Sequence, residues 1–246
     1  MVTRRRVRDA KTTPAEWPAL RATPMGRAAR PGAQLLTETQ REELVRIATR
    51  IELPARKLLY REGSPAEHVY IITSGVMKAF RDFHSGKRRI TAFLFARDLI
   101  GLAEHGKYTN SLQAIDDVVL FQVGLDTLSD VLRADGELQF KFLAKVTHEL
   151  REAQGHLAIV GRRDAAGRLA MFLERVQRQR RESGEDPTVI PLPMSRGDIA
   201  AYLALSPESL SRATATLERR GLVSFEGKRQ ARVLDGERFD ILVNGS

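Results

Sequence analysis

Three polar side chains near the end of the sequence have the types and the spacing to read the edges of bases. Ser211 and Arg212 lie three and four residues after Glu208, so a helix would place all three on one face within its first turns. An arginine can donate a bidentate pair to guanine and a glutamate can accept from the amino group of cytosine, while a serine can pack beside a base edge or bind phosphate. The chemistry that this trio offers is recognition of a nucleic acid.

The residues around the trio predict two short helices separated by a tight turn. Ser206 can cap the second helix, Pro207 suits its first position, and Gly221 ends it. Ser195 starts the preceding helix, because Asp198 follows it in a capping-box-like pattern. The side of the second helix opposite the trio carries Leu210, Ala213, Thr214 and Leu217. The layout predicts a helix-turn-helix, with a solvated polar stripe as the plainer alternative.

A hairpin is expected after Gly221. The stretch LVSFEGKRQARVLD has Gly227, Lys228 and Arg229 at its predicted turn, which would make a wing that touches the phosphate backbone. Hydroxyls and cations around the helices and the wing are the expected DNA-backbone contacts: Ser195, Ser206, Ser209, Arg219, Lys228 and Arg229.

The region upstream follows a different pattern. Short runs of β-branched and aromatic residues alternate with the turn residues Gly63, Ser64-Pro65, Ser74-Gly75 and Ser85-Gly86, and further strands are expected up to about Gly124. Strands at this spacing predict an antiparallel sheet that closes on itself or stacks. A short amphipathic helix over about 37–51 precedes the sheet, and a helix over about 165–181 follows it with its apolar residues inward: Leu169, Phe172, Leu173 and Val176.

A long helix is expected from Gly136 to about Gly161. Its apolar residues alternate at spacings of three and four, which is the a/d pattern of a helix seam: Leu143, Val146, Leu150, Ala153, Leu157 and Val160. Two interpretations stay open. The seam packs against the chain's own sheet, or it pairs with the same seam of a second copy, which we favour.

Composition and missing residue types exclude several classes of function. The 40 Lys and Arg exceed the 31 Asp and Glu, giving a formal net charge of +9 that suggests an anionic partner, although residues 1–33 read as a disordered basic tail. The absence of cysteine excludes disulfides, thiolate metal sites and a cysteine-held iron–sulfur cluster. No apolar run could span a bilayer. No Walker loop, G-x-S-x-G elbow, H-E-x-x-H pair or metal-ligand cluster occurs, so an enzyme is not expected.

The order of elements and two stretches of sequence resemble the Crp/Fnr family of bacterial transcription regulators. The stretches are EGSPAEHVYIITSGVMKAF and SRGDIAAYLALSPESLSRATATLERRGLV, and the resemblance extends from about Leu35 to Leu234. The pattern E-x-x-S-R resembles the Fnr and FixK branch. The resemblance implies an α+β fold with these parts: an antiparallel β-roll like a cyclic-nucleotide-binding domain (34–135), a dimerisation helix (136–161) and a winged helix-turn-helix (162–238), with tails over 1–33 and 239–246.

The resemblance also implies a function. Glu208, Ser211 and Arg212 would read a palindrome of TTGA-type half-sites, bound by a homodimer. We expect an activator of oxygen- or redox-linked genes that works with RNA polymerase in the cytoplasm, without membrane contact. The alternative from another class is a ligand-binding module that uses its helical domain to dock onto a protein.

The sensor region departs from relatives that bind cyclic nucleotides. Those relatives use a Gly-Glu pair and an Arg-Ser or Arg-Thr pair, whereas here Leu102 follows Gly101 and no arginine occurs between Asp98 and Asp130. A buried phosphate without a paired cation is costly, so cAMP is not expected, although Lys107 could substitute. The candidate effector pocket consists of Gly101, Leu102 and Glu104.

Haem is the other effector that the residues leave open. Five histidines could supply an axial ligand, although each is more typical of a surface or capping position: His68, His84, His105, His148 and His156. The interpretation we favour is a FixK-like regulator that needs no cofactor and is controlled by its amount.

Overall fold

The computed structural model describes residues 37–83, 86, 88–182, 184–227 and 229–244. The helices in these ranges are α1 (Glu38–Ile47), α2 (Leu125–Ala134), α3 (Gly136–Gly161), α4 (Ala165–Glu182), α5 (Arg196–Tyr202), α6 (Pro207–Arg219) and α7 (Gly236–Asn244). The strands are β1 (Thr49–Leu53), β2 (Leu58–Tyr60), β3 (His68–Ser74), β4 (Met77–Asp82), β5 (Arg88–Leu94), β6 (Leu99–Ile100), β7 (Ser111–Ala114), β8 (Val118–Gly124), β9 (Val189–Pro191), β10 (Val223–Glu226) and β11 (Gln230–Val233). None of the helices in these ranges combines the length and apolar composition that crossing a bilayer requires.

The chain divides into two units, and the boundaries between them do not fall between consecutive helices or strands. The first unit contains the described residues up to Ala79 together with Phe93–Leu150. The second contains Phe80–Ala92, at the tip of the β4–β5 hairpin, and the described residues from Arg151 on. The helix α3 therefore contributes its first part to one unit and its last part to the other.

Two four-stranded sheets form the β domain, with strand orders β1-β8-β3-β6 and β2-β7-β4-β5. In the first sheet β3 pairs antiparallel with β8, and Ile71 lies opposite Phe121. The predicted turn at Gly75 requires glycine, because its φ is +87° and a Cβ there would lie 2.5 Å from the carbonyl oxygen of Asp117. Apolar side chains of the strands fill the core, among them Ile72, Met77, Leu112 and Leu120.

The first helix is shorter than the sequence pattern predicts. Thr37 and Gln40 form a capping box at the start of α1, but the helix ends at Ile47 rather than near Ile51. Thr49–Leu53 is strand β1, in which every residue pairs with β8. Pairing with a central strand outweighs the weak helical period of these few residues.

The second unit contains α4 and a three-stranded sheet of order β10-β11-β9. The four residues of α4 predicted to face inward are all buried: Leu169, Phe172, Leu173 and Val176. The predicted tail over 239–246 is contradicted up to Asn244, because α7 covers Gly236–Asn244 and buries Phe239. One aromatic side chain, Phe239, anchors this short helix. A single buried residue gives no repeating apolar pattern in the sequence from which a helix could be predicted. The predicted basic tail over 1–33 lies outside the described residues.

Candidate nucleic-acid interface

Two short helices present the polar side chains that the sequence singles out. Ser195 is the N-cap of α5, where its Oγ accepts a hydrogen bond of 3.0 Å from the backbone N–H of Asp198. Ser206 is the N-cap of α6, where its Oγ accepts a hydrogen bond of 3.1 Å from the backbone N–H of Ser209, and Pro207 lies in the first turn. Both caps follow the sequence pattern, because each hydroxyl satisfies a backbone donor that the start of a helix leaves free.

The exposed face of α6 carries the predicted base-reading trio. Glu208, Ser211 and Arg212 are all exposed, and the opposite face is buried through Leu210, Ala213 and Leu217. The Nη2 of Arg212 donates to the Oγ of Ser209 at 3.2 Å, which keeps the guanidinium near the start of the helix. The structure thus places the three side chains together on the turns that face a groove in helix-turn-helix proteins.

Local contacts keep the carboxyl of Glu208 ionised. Its pKa is lowered, because the carboxylate accepts a hydrogen bond from its own backbone N–H and another from the Ser206 hydroxyl, and because Arg212 lies nearby. An acid near the N-terminus of a helix is also favoured by the helix dipole. An ionised carboxylate accepts hydrogen bonds and donates none, which suits the amino group of cytosine.

The hairpin β10–β11 forms the predicted wing. Its strands pair antiparallel with Val223 opposite Val233, and Gly227 has a φ of +63° at the turn. Arg229 is exposed beside this turn, whereas Lys228 lies outside the described residues. The predicted contact Arg219 is exposed at the last turn of α6.

One residue that sequence reasoning missed, Arg196, ties the wing to the helices. Its Nη1 donates to the Oγ1 of Thr214 at 3.1 Å, and its guanidinium lies 5.0 Å from the centroid of the Phe225 ring. These contacts join α5 to α6 and to β10, the last through a cation–π interaction. No local spacing signals a contact that crosses three elements.

A second missed feature is the turn between α5 and α6. Ala204 occupies the left-handed region with a φ of +53°. The Nη1 of Arg168, on α4, donates to the carbonyl oxygens of Leu203 and Ala204 at 3.0 and 3.3 Å. The turn of the helix-turn-helix is therefore held by a side chain from outside the motif.

The outward face of α3 carries the predicted seam. Leu143, Val146, Leu150, Ala153 and Leu157 are exposed, and Val160 is half-buried. Phe140, which the sequence analysis did not include, is also exposed and lies three residues before Leu143. The described chain thus leaves an apolar stripe along most of α3 uncovered.

The inward face of the first part of α3 contains a buried ion pair. The Nζ of Lys145 lies 2.6 Å from Glu149 and 3.9 Å from Asp98, and the Lys145 side chain is 0% exposed. Burial is the main reason that the pKa of Glu149 is raised, and the nearby carboxylate of Asp98 raises it further. Sequence spacing gives no hint of this cluster, because a lysine and a glutamate four apart usually form an exposed pair.

The inward face of the last part of α3 packs on α5 through His156. The imidazole stacks on the Tyr202 ring with centroids 4.0 Å apart, and its Nε2 lies 2.8 Å from the carbonyl oxygen of Tyr202. Arg175 of α4 donates to the Tyr202 hydroxyl and to the Glu152 carboxylate. Burial lowers the pKa of His156, and the charges of Arg175 and Arg89 lower it further.

The other described histidines, His68, His105 and His148, do not form a shared metal site. His68 and His148 are half-buried, His105 is exposed, and His84 lies outside the described residues. Within the described ranges, no group of three or more metal-ligating side chains is close enough to hold an ion. The Nε2 of His156 is already engaged by a carbonyl oxygen, so this ring is a poor fit for an axial haem ligand.

Three tyrosine rings lie close together in the β domain, and one of them, Tyr70, lies beside Gly101. Tyr60 and Tyr108 stack with centroids 3.7 Å apart, and Tyr70 lies 6.0 Å from Tyr60. The Tyr108 hydroxyl donates to the carbonyl oxygen of His68 at 2.9 Å. Burial raises the pKa of Tyr60 and Tyr70, so both rings stay neutral.

Two residues of the candidate effector pocket, Gly101 and Leu102, differ in their exposure to solvent. A Cβ on Gly101 would lie 2.7 Å from the carbonyl oxygen of His68, so the backbone there is in close contact with β3. Leu102 is exposed, and so is Lys107. Glu104 begins a short 3-10 helix, Glu104–Gly106.

Comparison with known proteins defines the class of protein. Residues 50–135 match the family described as a cyclic nucleotide-binding domain, and residues 167–240 match the Crp-like helix-turn-helix domain. The solved structure of FixK2 from Bradyrhizobium japonicum is similar, with 31% identity and a TM-score of 0.73 over 80% of this chain and 97% of that chain. The protein is thus a DNA-binding transcription regulator whose β domain is similar to cyclic nucleotide-binding domains.

Curated relatives establish the family. The nitrogen fixation regulation protein FixK of Azorhizobium caulinodans is 32% identical over 178 residues, which is 72% of each chain. The transcriptional activator protein Anr of Pseudomonas aeruginosa is 28% identical over 191 residues, 77% of this chain and 78% of that protein. The chain belongs to the Crp/Fnr family, which confirms the predicted α+β fold class. These relatives are regulators rather than enzymes.

Proposed function

We propose that this regulator binds a palindrome of TTGA-type half-sites as a homodimer and activates transcription. The observation that carries the proposal is the exposed trio of Glu208, Ser211 and Arg212 on the first turns of α6, opposite a buried face. In this proposal Arg212 donates to guanine, Glu208 accepts from the cytosine amino group, and Ser211 packs beside a base edge.

The outward face of α3 supports the homodimer. Its apolar side chains recur at the spacing of a coiled-coil seam, and Leu150 and Leu157 are 59% and 68% exposed. A second copy offers the same stripe, so the two would bury each other across a two-fold axis. That symmetry matches the symmetry of a palindrome, with one α6 for each half-site.

The tyrosine rings in the β domain support a regulator that acts without a small molecule. Tyr60 and Tyr108 stack on each other, the neighbouring Tyr70 lies beside Gly101, and Tyr70 and Tyr108 are both buried. In this proposal the amount of protein sets its activity, without cAMP, haem or a cluster. Its similarity to Anr, a transcriptional activator, supports activation, and we propose that the genes are oxygen- or redox-linked, that RNA polymerase is the partner and that the protein acts in the cytoplasm.

The test is a binding titration onto a duplex that carries TTGAT-N4-ATCAA, against a scrambled duplex at the same salt. We expect the protein purified without added effector to prefer the palindrome. Arg212→Ala should lose about 1–3 kcal/mol of specific binding for each guanine contact and keep its affinity for the scrambled duplex. The measurement is the dissociation constant for each duplex by fluorescence anisotropy.

The control is Arg219→Ala, which removes the same charge from the other end of α6. A phosphate contact there predicts an equal loss on both duplexes. If Arg212→Ala also weakens both duplexes equally, the assignment of Arg212 to a base is wrong. If the palindrome is bound only after an effector is added, the ligand-free part of the proposal is wrong.

A further inference from the structure

The turn between α5 and α6 contains a residue in an unfavourable conformation. Ala204 has a φ of +53°, where a Cβ is strained and glycine is not. The residue is exposed, so packing of its methyl group does not hold it there. The backbone on either side is fixed, since the N–H of Leu203 donates to Ile199 and the N–H of Leu205 donates to Ala200, both at 2.9 Å.

Arg168 holds the two peptide planes that flank Ala204. Its Nη1 donates to the carbonyl oxygen of Leu203, which precedes Ala204, and to that of Ala204 itself, at 3.0 and 3.3 Å. Fixing both planes fixes the φ and ψ angles between them. The Nε of the same guanidinium donates to the carbonyl oxygen of Arg162 at 2.6 Å, which anchors the side chain just after α3.

The carbonyl oxygen of Tyr202, which precedes those of Leu203 and Ala204, also has a partner outside the helix-turn-helix. The Nε2 of His156, on α3, lies 2.8 Å from the carbonyl oxygen of Tyr202. The last carbonyls of a helix have no partner within it. Here the three consecutive carbonyls at the end of α5 are met by His156 and Arg168, and the cation lies at the end where the helix dipole favours it.

We propose that Arg168 is a positioning residue for base recognition, because it holds Ala204 in the conformation that sets the direction of α6 relative to α5. The inference rests on base reading by α6, as proposed above. Arg168 itself need not touch DNA. Its planar guanidinium bonds three carbonyl oxygens at once, which the compact ammonium of a lysine is poorly shaped to do.

The test is the effect of Arg168→Met on the two duplexes. We expect affinity for the palindrome to fall about tenfold, as for one mismatched base pair, because α6 is no longer held at one angle. Affinity for the scrambled duplex should stay within about twofold, because phosphate contacts tolerate a small rotation. Arg168→Lys should lose nearly as much as Arg168→Met. The control is Arg181→Met, which removes an exposed guanidinium from the same helix and should leave the ratio of the two affinities unchanged.

A second substitution tests the cause of the loss. Glycine adopts the left-handed conformation without strain, so Ala204→Gly in the Arg168→Met background should recover most of the lost preference for the palindrome. If Arg168→Lys keeps the affinity of the original protein, or if Arg168→Met weakens both duplexes equally, Arg168 is a charge or phosphate contact and the proposal is wrong. It is equally wrong if Ala204→Gly recovers nothing.

Hydrogen exchange separates this proposal from the proposed target. The backbone N–H of Leu205 reports on the turn, and it should exchange faster in Arg168→Met while the N–H of Leu222, bonded to Leu217, stays unchanged. If the unmodified protein shows no preference for the palindrome, the proposed target fails, and faster exchange at Leu205 still supports the role of Arg168 in the turn. Equal acceleration at both amides would show general destabilisation and would overturn the proposal.

Discussion

The helix α3 exposes apolar side chains on its outward face and places ionisable side chains on its inward face, which is the reverse of an ordinary surface helix. Its outward face carries exposed apolar side chains such as Leu143, Leu150 and Leu157. Its inward face is spaced by the same alternation of three and four, but the middle of that face is ionisable: Lys145, Glu149, Glu152 and His156. A helix packed on its own domain usually buries the apolar face and exposes the charges.

This difference indicates two kinds of interaction. Apolar side chains attract without strong direction and suit a seam that forms when a second copy arrives. Buried charges add little net stability but leave few tolerated arrangements, because each must meet its partner. Our hypothesis is that the inward face fixes the rotation of α3 about its axis, so that the apolar stripe points outward. Three substitutions test it, in order of decreasing effect.

The largest effect is expected from Leu150→Asp on the outward face. A charge in the middle of the seam should leave the protein monomeric, because two copies would bury opposed carboxylates. Affinity for the palindrome should then fall about a thousandfold, roughly 4 kcal/mol, because the half-sites are no longer engaged by linked modules. Analytical ultracentrifugation and the binding titration measure the two effects. Leu234→Asp makes the same change at a leucine that is as exposed as Leu150 but lies outside α3, and a dimeric Leu150→Asp would show that the seam lies elsewhere.

A smaller effect is expected from Lys145→Met on the inward face. Removing the Lys145 ammonium leaves the carboxylates of Glu149 and Asp98 close together without that positive charge. This should lower the free energy of unfolding by about 3 kcal/mol at neutral pH. The pKa of Glu149 is already raised by burial, and it should rise further in the variant. A raised pKa means that the folded state takes up the proton first, so the deficit should shrink as the pH falls towards 5. Urea denaturation at two pH values measures it.

The matched control for this variant is Lys141→Met, one turn earlier on α3. Lys141 pairs with the exposed carboxylate of Glu137 and also donates to the Oε1 of Gln40. That oxygen keeps a second hydrogen bond from the Thr37 N–H, so the loss of Lys141 should cost only about 1 kcal/mol. Equal losses for Lys141→Met and Lys145→Met would contradict the view that the inward charges depend on their buried partners.

The smallest effect is expected from His156→Gln, which keeps an N–H donor near the carbonyl of Tyr202. The pKa of His156 is lowered in the folded state, chiefly by burial, whereas an unfolded histidine titrates near about 6.5. The histidine therefore contributes stability above that pH, and the contribution is lost as the pH falls through the folded-state value. The decline in unfolding free energy between about pH 7 and pH 5 should be shallower in the variant, by less than about 1 kcal/mol. His105→Gln, at an exposed histidine, should follow the original protein, and parallel curves for His156→Gln would contradict the prediction.

Features that the sequence analysis predicted well depend on neighbours in the chain. Ser195 and Ser206 cap their helices because each hydroxyl bonds an N–H three residues on. The polar stripe on α6 and the apolar stripe on α3 follow from helical geometry alone, and the wing follows from glycine at its turn. Local geometry was sufficient to bring Glu208, Ser211 and Arg212 together.

Features that were missed depend on contacts between distant residues. Thr49–Leu53 is a strand because β8 lies beside it, about seventy residues later in the chain. In the sequence, Arg168 resembles the arginines of this helix that are expected to face outward. Its role depends on the turn at Ala204, where glycine would be the usual residue. The spacing of Lys145 and Glu149 predicts an exposed ion pair, and only the structure shows that Asp98 lies close to Lys145.

The second unit joins two stretches of chain that are made at different times. The ribosome releases Phe80–Ala92 roughly sixty residues before it makes the helices with which this hairpin groups. The first unit can form most of its contacts while the hairpin tip still lacks partners. We therefore expect the winged half to fold after the β domain, so that a nascent chain acquires its DNA-binding surface only once the first unit has formed.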